Sequence, residues 1–85
     1  INHMVVVKDE LTSSDPEAVR EAWRLLAQSK AMANEAPDRA AFTPFGLDAN
    51  RHNIDVLIDY MFGTKMIPRR YSVDELFNGV TRTLA

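Results

Sequence analysis

The residues of this chain whose types and spacing suit chemistry are two histidines, a pair of aspartates and a pair of arginines. His3 opens the apolar run Met4-Val5-Val6-Val7, and in open α/β sheets the ends of strands line ligand crevices. An imidazole so placed can bind a carboxylate or carry a proton. The plainer alternative for His3-Met4 is a frayed strand end or a tag remnant. His52 lies among Arg51 and Asn53 on an expected helix surface, and two histidines this far apart with no third ligand at metal spacing do not make a zinc site. Asp55 and Asp59 stand at i and i+4, a spacing that serves acid–base or metal chemistry but more often a solvated helix face. Arg69-Arg70 follows Pro68. Guanidinium groups grip carboxylates two-fold, so the pair can clamp an acid, or it can simply pair with Asp74 or Glu75 beside its turn. There is no Gly-rich phosphate loop, no G-x-S-x-G and no H-E-x-x-H, and no cofactor is expected.

The elements that must position these residues follow from apolar spacing and capping. Residues 3–8 read as a strand buried on both faces, because their apolar residues run without alternation. Leu11 to Asp15 reads as a polar connector. Asp15-Pro16-Glu17 is a strong helix start, with Asp15 as cap, Pro16 at the first position and Glu17 facing the positive end of the dipole. The helix expected from it covers about 16–34, with Val19, Ala22, Trp23, Leu26 and Ala33 inward and Trp23 as the anchor of the core rather than a platform for an aromatic ligand. Residues 34–43 read as a loop with room for one helical turn. Ile54, Leu57, Ile58 and Met61 then form one stripe of a helix over about 48–63, capped by Asp48 or Asn50 and stopped near Gly63 ahead of Pro68. Ser72-Val73-Asp74-Glu75 is a capping box, with Tyr71 and Leu76 placed for a hydrophobic staple. Val73, Leu76, Phe77, Val80 and Leu84 extend it into a last helix over about 73–84, weakened by Gly79.

The stretch PFGLDANRHNIDVLIDYMFGTKMIPRRYSVDELF, from Pro44 to Phe77, resembles the C-terminal end of the 4,5-dihydroxyphthalate decarboxylase-like family. INHMVVVKDEL and DPEAVREAWRLL resemble the segment that precedes it there. The motifs that carry the resemblance are PFGL, the adjacent Asn50-Arg51 pair, IPRR and S-x-D-E-L-F, and Lys65 departs from it where a glycine closing the helix is expected. The resemblance implies a type 2 periplasmic solute-binding-like fold, two α/β lobes with ligand between them, of which this chain matches only the last part. It implies that Asn2-His3 faces the cleft, with His3 catalytic, Asn2 substrate-binding, and Arg69 and Arg70 binding a small aromatic acid such as a phthalate. The activity implied is loss of CO₂ from a dihydroxylated aromatic acid. A non-enzymatic solute-binding protein and a helical interaction module are the other readings.

With 85 residues, 46% hydrophobic and 26% charged, the chain has the composition of a globular unit whose own core is marginal. A net charge of −2 gives no reason to expect nucleic acid or an anionic membrane as partner, and no apolar run reaches membrane-spanning length. Zero cysteines exclude disulfides and thiolate chemistry. The fold expected is therefore mainly α with one N-terminal β-strand, a fragment of an α/β fold, in a cytoplasmic protein. An orphan strand at residues 3–8 would pair between copies of the isolated chain, making a homo-oligomer.

Overall fold

The computed structural model describes residues 4–34, 36–40 and 42–84. Four helices run in chain order: α1 (Asp9–Ser14), α2 (Pro16–Met32), α3 (Pro37–Ala40) and α4 (Leu47–Gly63), followed by 3₁₀ turns at Asp74–Leu76 and Thr81–Thr83. The mainly helical expectation holds. The strand does not: residues 4–8 carry no regular secondary structure, and Val5 and Val6 are 80% and 86% exposed. A strand needs a partner for its N–H and C=O groups, and no strand forms among the described residues to provide one.

The sequence read residues 11–15 as connector, yet Asp9–Ser14 closes a helical turn and a half. Thr12 is its buried residue, its hydroxyl donating to the Asp9 carbonyl at 2.7 Å. Asp15 then caps α2, its carboxylate accepting from the Ala18 amide at 3.2 Å with Pro16 following. The first helix pair is thus hinged by one cap residue, and α1 packs on α2. Only Val19 of the five expected inward residues of α2 is buried. Trp23 is half-buried, tilted against Phe45 with ring centroids 6.4 Å apart. Lys30 stands 5.5 Å from the centre of the same ring and donates to the Thr43 hydroxyl at 2.7 Å. Phe45 thereby ties α2 to the approach of α4.

The start of α4 departs from expectation. Its cap is Gly46, at φ 97° and ψ 153°, a backbone state only glycine adopts freely. Asn50 reaches back one turn, donating to the Pro44 and Gly46 carbonyls at 2.9 Å each, while Asp48 sits in the first turn facing the helix dipole. The far end closes on a Schellman motif: Met66 N–H bonds to Met61 at 2.8 Å and Lys65 N–H to Phe62 at 3.0 Å. The left-handed position that this motif requires is occupied by Lys65 at φ 62°. The missing glycine leaves the geometry intact and the strain in place.

Residues 73–84 do not form the expected helix. Asn78 interrupts it. Its side-chain oxygen accepts from the Val80 and Thr81 backbone amides at 2.9 and 3.0 Å, and its backbone N–H donates to the Thr81 hydroxyl at 2.9 Å. These local bonds compete with the helical ladder and restart the chain as a separate 3₁₀ turn, with Gly79 just beyond. The core, Ile54, Ile58 and Val73 with Leu47, Ile67 and Phe77 against it, lies between α4 and this C-terminal corner.

Candidate functional site

The site residues divide by what surrounds them. Asn2 and His3 lie outside the described residues. Arg69 and Arg70 stand on the corner between α4 and the Asp74–Leu76 turn, Arg69 engaged by one carboxylate and Arg70 by two others. Arg69 meets Glu75 through two bonds of 3.1 and 3.2 Å and lies 3.9 Å from the centre of the Tyr71 ring. Arg70 spans both α4 aspartates, donating to Asp59 at 2.6 Å and Asp55 at 2.9 Å, and also reaches the Tyr71 carbonyl at 3.2 Å. The i, i+4 spacing of Asp55 and Asp59 is what lets one guanidinium take both. An acid bound by either arginine has to compete with these carboxylates.

The capping box forms as the sequence predicts, with the Ser72 amide donating to Glu75 at 2.6 Å and the Glu75 amide to the Ser72 hydroxyl at 3.3 Å. It caps a single 3₁₀ turn rather than a long helix. Glu75 is thereby held by both Arg69 and Ser72, and this pairing, Arg69 first, lowers its carboxyl pKa below the ordinary value. Leu76, expected to staple onto Tyr71, is 49% exposed.

Sequence reasoning missed a second cluster, centred on Asp74. Arg51 donates to it at 3.1 Å from α4, and Arg82 at 3.4 Å from beyond the corner. Arg82 also reaches the Asp74 and Phe77 carbonyls at 3.1 and 3.0 Å. The two guanidinium groups, Arg51 foremost, lower the Asp74 pKa. Asn78, also missed, extends the corner to the first helix pair, donating to Thr12 at 2.7 Å and Asp9 at 3.3 Å. None of these partners is recognisable from sequence, since 23 residues separate Arg51 from Asp74 and 66 separate Thr12 from Asn78.

Beside the corner, Asp48, Arg51, His52, Asp55, Arg70 and Ser72 line a wide, open depression of about 580 Å³. His52 is exposed, as its position on α4 predicts. The formal charges of the lining carboxylates and guanidinium groups cancel, so the depression carries no net formal charge. Among the described residues no three His, Cys, Asp or Glu side chains gather closely enough to hold a metal ion, and no helix is long and apolar enough to cross a membrane. Comparison with family models, with curated proteins and with solved structures gave no match.

Proposed function

We propose that this chain is the C-terminal, structure-forming segment of a protein like the 4,5-dihydroxyphthalate decarboxylases, one that releases CO₂ from a dihydroxylated aromatic acid. The observation that supports the reading is the use made of the motifs that carry the resemblance. Asn50 ties back the start of α4, Arg51 reaches Asp74, Arg70 of IPRR spans Asp55 and Asp59, and Ser72 and Glu75 close their box. These residues build one folded corner, and their spacing is what such a corner needs.

Decarboxylation of an aromatic acid puts a proton on the ring carbon that loses CO₂, so a proton donor and a carboxylate-binding group must meet in one cleft. His3 is the donor in this reading and Asn2 its neighbour on the substrate, with Arg69 and Arg70 available to the carboxylates only by exchange with Glu75, Asp55 and Asp59. The rest of the cleft comes from another lobe, and residues 4–8, exposed in this chain, enter a sheet of the intact protein. The intact protein is cytoplasmic in this reading. A solute-binding protein that holds the acid without turning it over uses the same segment in the same way, since fold alone does not fix activity.

The deciding experiment is CO₂ release from 4,5-dihydroxyphthalate by the intact protein, with His3→Ala beside it. Turnover that falls in the variant while the denaturation midpoint stays put supports the reading. Tight binding of the acid without CO₂ release selects the solute-binding alternative. Absence of both binding and turnover overturns the decarboxylase reading. The 85-residue chain by itself is expected to be inactive.

A further inference from the structure

The chain exposes more of itself than a self-sufficient fold does. Its accessible surface is 6648 Å², against about 5,100 Å² for a compact monomer of this mass. Its radius of gyration is 14.3 Å, against about 12 Å for a globule of this length. The excess, about 1,500 Å², is at least one partner's share of a stable protein interface. Part of it lies on residues 4–8, and part on the outer side of α2.

That outer side has a pattern of its own. Ala18, Ala22, Leu25, Ser29 and Met32 are spaced 4, 3, 4 and 3 residues apart, the repeat of a helix–helix seam. All five are exposed, Leu25 at 53% and Met32 at 76%. On one flank Arg24 gathers Glu21 and Gln28 into bonds within the helix, so the charges beside the seam are already satisfied. On the other flank Leu26, 43% exposed, continues the apolar surface toward the buried Val19 and half-buried Trp23 face. The seam is also nearly symmetric about Leu25. Laid against its own copy running the other way, it sets Met32 over Ala18, large against small, and Ala22 opposite Ser29, small against small, with the two Leu25 side chains meeting at the axis. Small residues permit close approach of the helices, and the opposed directions set the helix dipoles head to tail.

We propose that the outer face of α2 is a two-fold self-association surface, in which two copies of this chain pair antiparallel across Leu25. The partner is a second copy because the seam complements itself and because its flanking charges, paired within the helix, select no oppositely charged surface. A closed two-fold contact of this kind uses the same patch on both chains. It is independent of the decarboxylase reading, which could fail without touching it.

The test is light scattering across a range of concentrations on the purified chain, together with cysteine cross-linking, which the absence of native cysteines leaves free of background. The wild-type chain is expected to dimerise as concentration rises, and Leu25→Glu to remain monomeric with an unchanged far-ultraviolet spectrum. Leu25→Cys should form a disulfide-linked dimer on mild oxidation. Ala18→Cys should not link to itself but should link to Met32→Cys when the two are mixed. A monomer throughout the range overturns the proposal. So does a dimer that survives Leu25→Glu, a self-linked Ala18→Cys dimer (which requires parallel helices), or a dimer dissolved by Val6→Asp alone, which would place the contact on residues 4–8.

Discussion

Lys65 shows how one side chain stores a cost without changing the fold. The Schellman closure of α4 demands a left-handed residue, and a Cβ there meets the carbonyl that follows. The two closing hydrogen bonds are nonetheless made at full strength, 3.0 and 2.8 Å, with lysine in place. Lys65→Gly relieves the clash while adding freedom to the unfolded chain, and the net expected gain is roughly 0.5–1 kcal/mol. Lys65→Ala keeps the Cβ and should gain nothing. Urea denaturation of the two variants beside wild type checks this, and equal midpoints for glycine and alanine would show that the position is not strained. Ser72 is the converse case. Its hydroxyl accepts from Glu75 at 3.3 Å on an exposed turn, so Ser72→Ala should cost about 0.5–1 kcal/mol, the lower part of the range for a lost cap. An unchanged midpoint would mean the box contributes geometry and no stability.

At the scale of elements, what the sequence makes legible is set by how local the signal is. The α2 and α4 spans, the Asp15-Pro16 start and the Ser72–Glu75 box depend on neighbours within one turn, and the structure has them within a residue or two of expectation. The strand at 3–8 and the helix at 73–84 depend on what lies across the fold. Apolar residues in a row say only that a segment is fit for burial, and among the described residues no strand pairs with residues 4–8. Val73, Leu76, Phe77, Val80 and Leu84 have helical spacing, yet Asn78 offers the backbone a competing set of bonds in the middle of them. Of the site residues, Arg69 and its turn carboxylate were readable from proximity, while the reach of Arg70 to Asp55 and Asp59 and of Arg51 to Asp74 needed the corner itself. Asn78 decides both the break and the tie to α1. Asn78→Ala is therefore expected to lower stability by about 1–2 kcal/mol, through the lost turn bonds and the lost ties to Thr12 and Asp9. The same variant should raise helical ellipticity, as residues 73–84 become free to run on as one helix. A loss of stability with no gain in helix would mean that Gly79, and not Asn78, stops the helix.

For the whole molecule the balance is between a small core and many exposed ion pairs. Four apolar side chains are buried among the described residues, Val19, Ile54, Ile58 and Val73, which leaves little hydrophobic reserve. Around them Arg51, Arg82 and Arg69 hold Asp74 and Glu75, and each of these pairs is open to solvent and individually weak. Their common consequence is a dependence on acid. Both carboxyls have folded-state pKa values below their ordinary ones, 3.8 for Asp74 and 4.5 for Glu75. Above those ordinary values both groups are charged whether the chain is folded or not, and the stabilisation is complete. As pH falls, the unfolded chain takes up protons first, so this contribution declines and is gone once the pH passes below the folded values. The denaturation midpoint is accordingly expected to be flat from neutrality down to about pH 5 and to fall steadily below about pH 4.5. Asp74→Asn and Glu75→Gln should each lower the plateau and flatten part of the descent. Added salt should lower the wild-type plateau toward that of the variants, because exposed pairs are screened. A midpoint that stays level down to about pH 3 would show that these ion pairs do not stabilise the corner, and that Ile54, Ile58 and Val73 hold it without them.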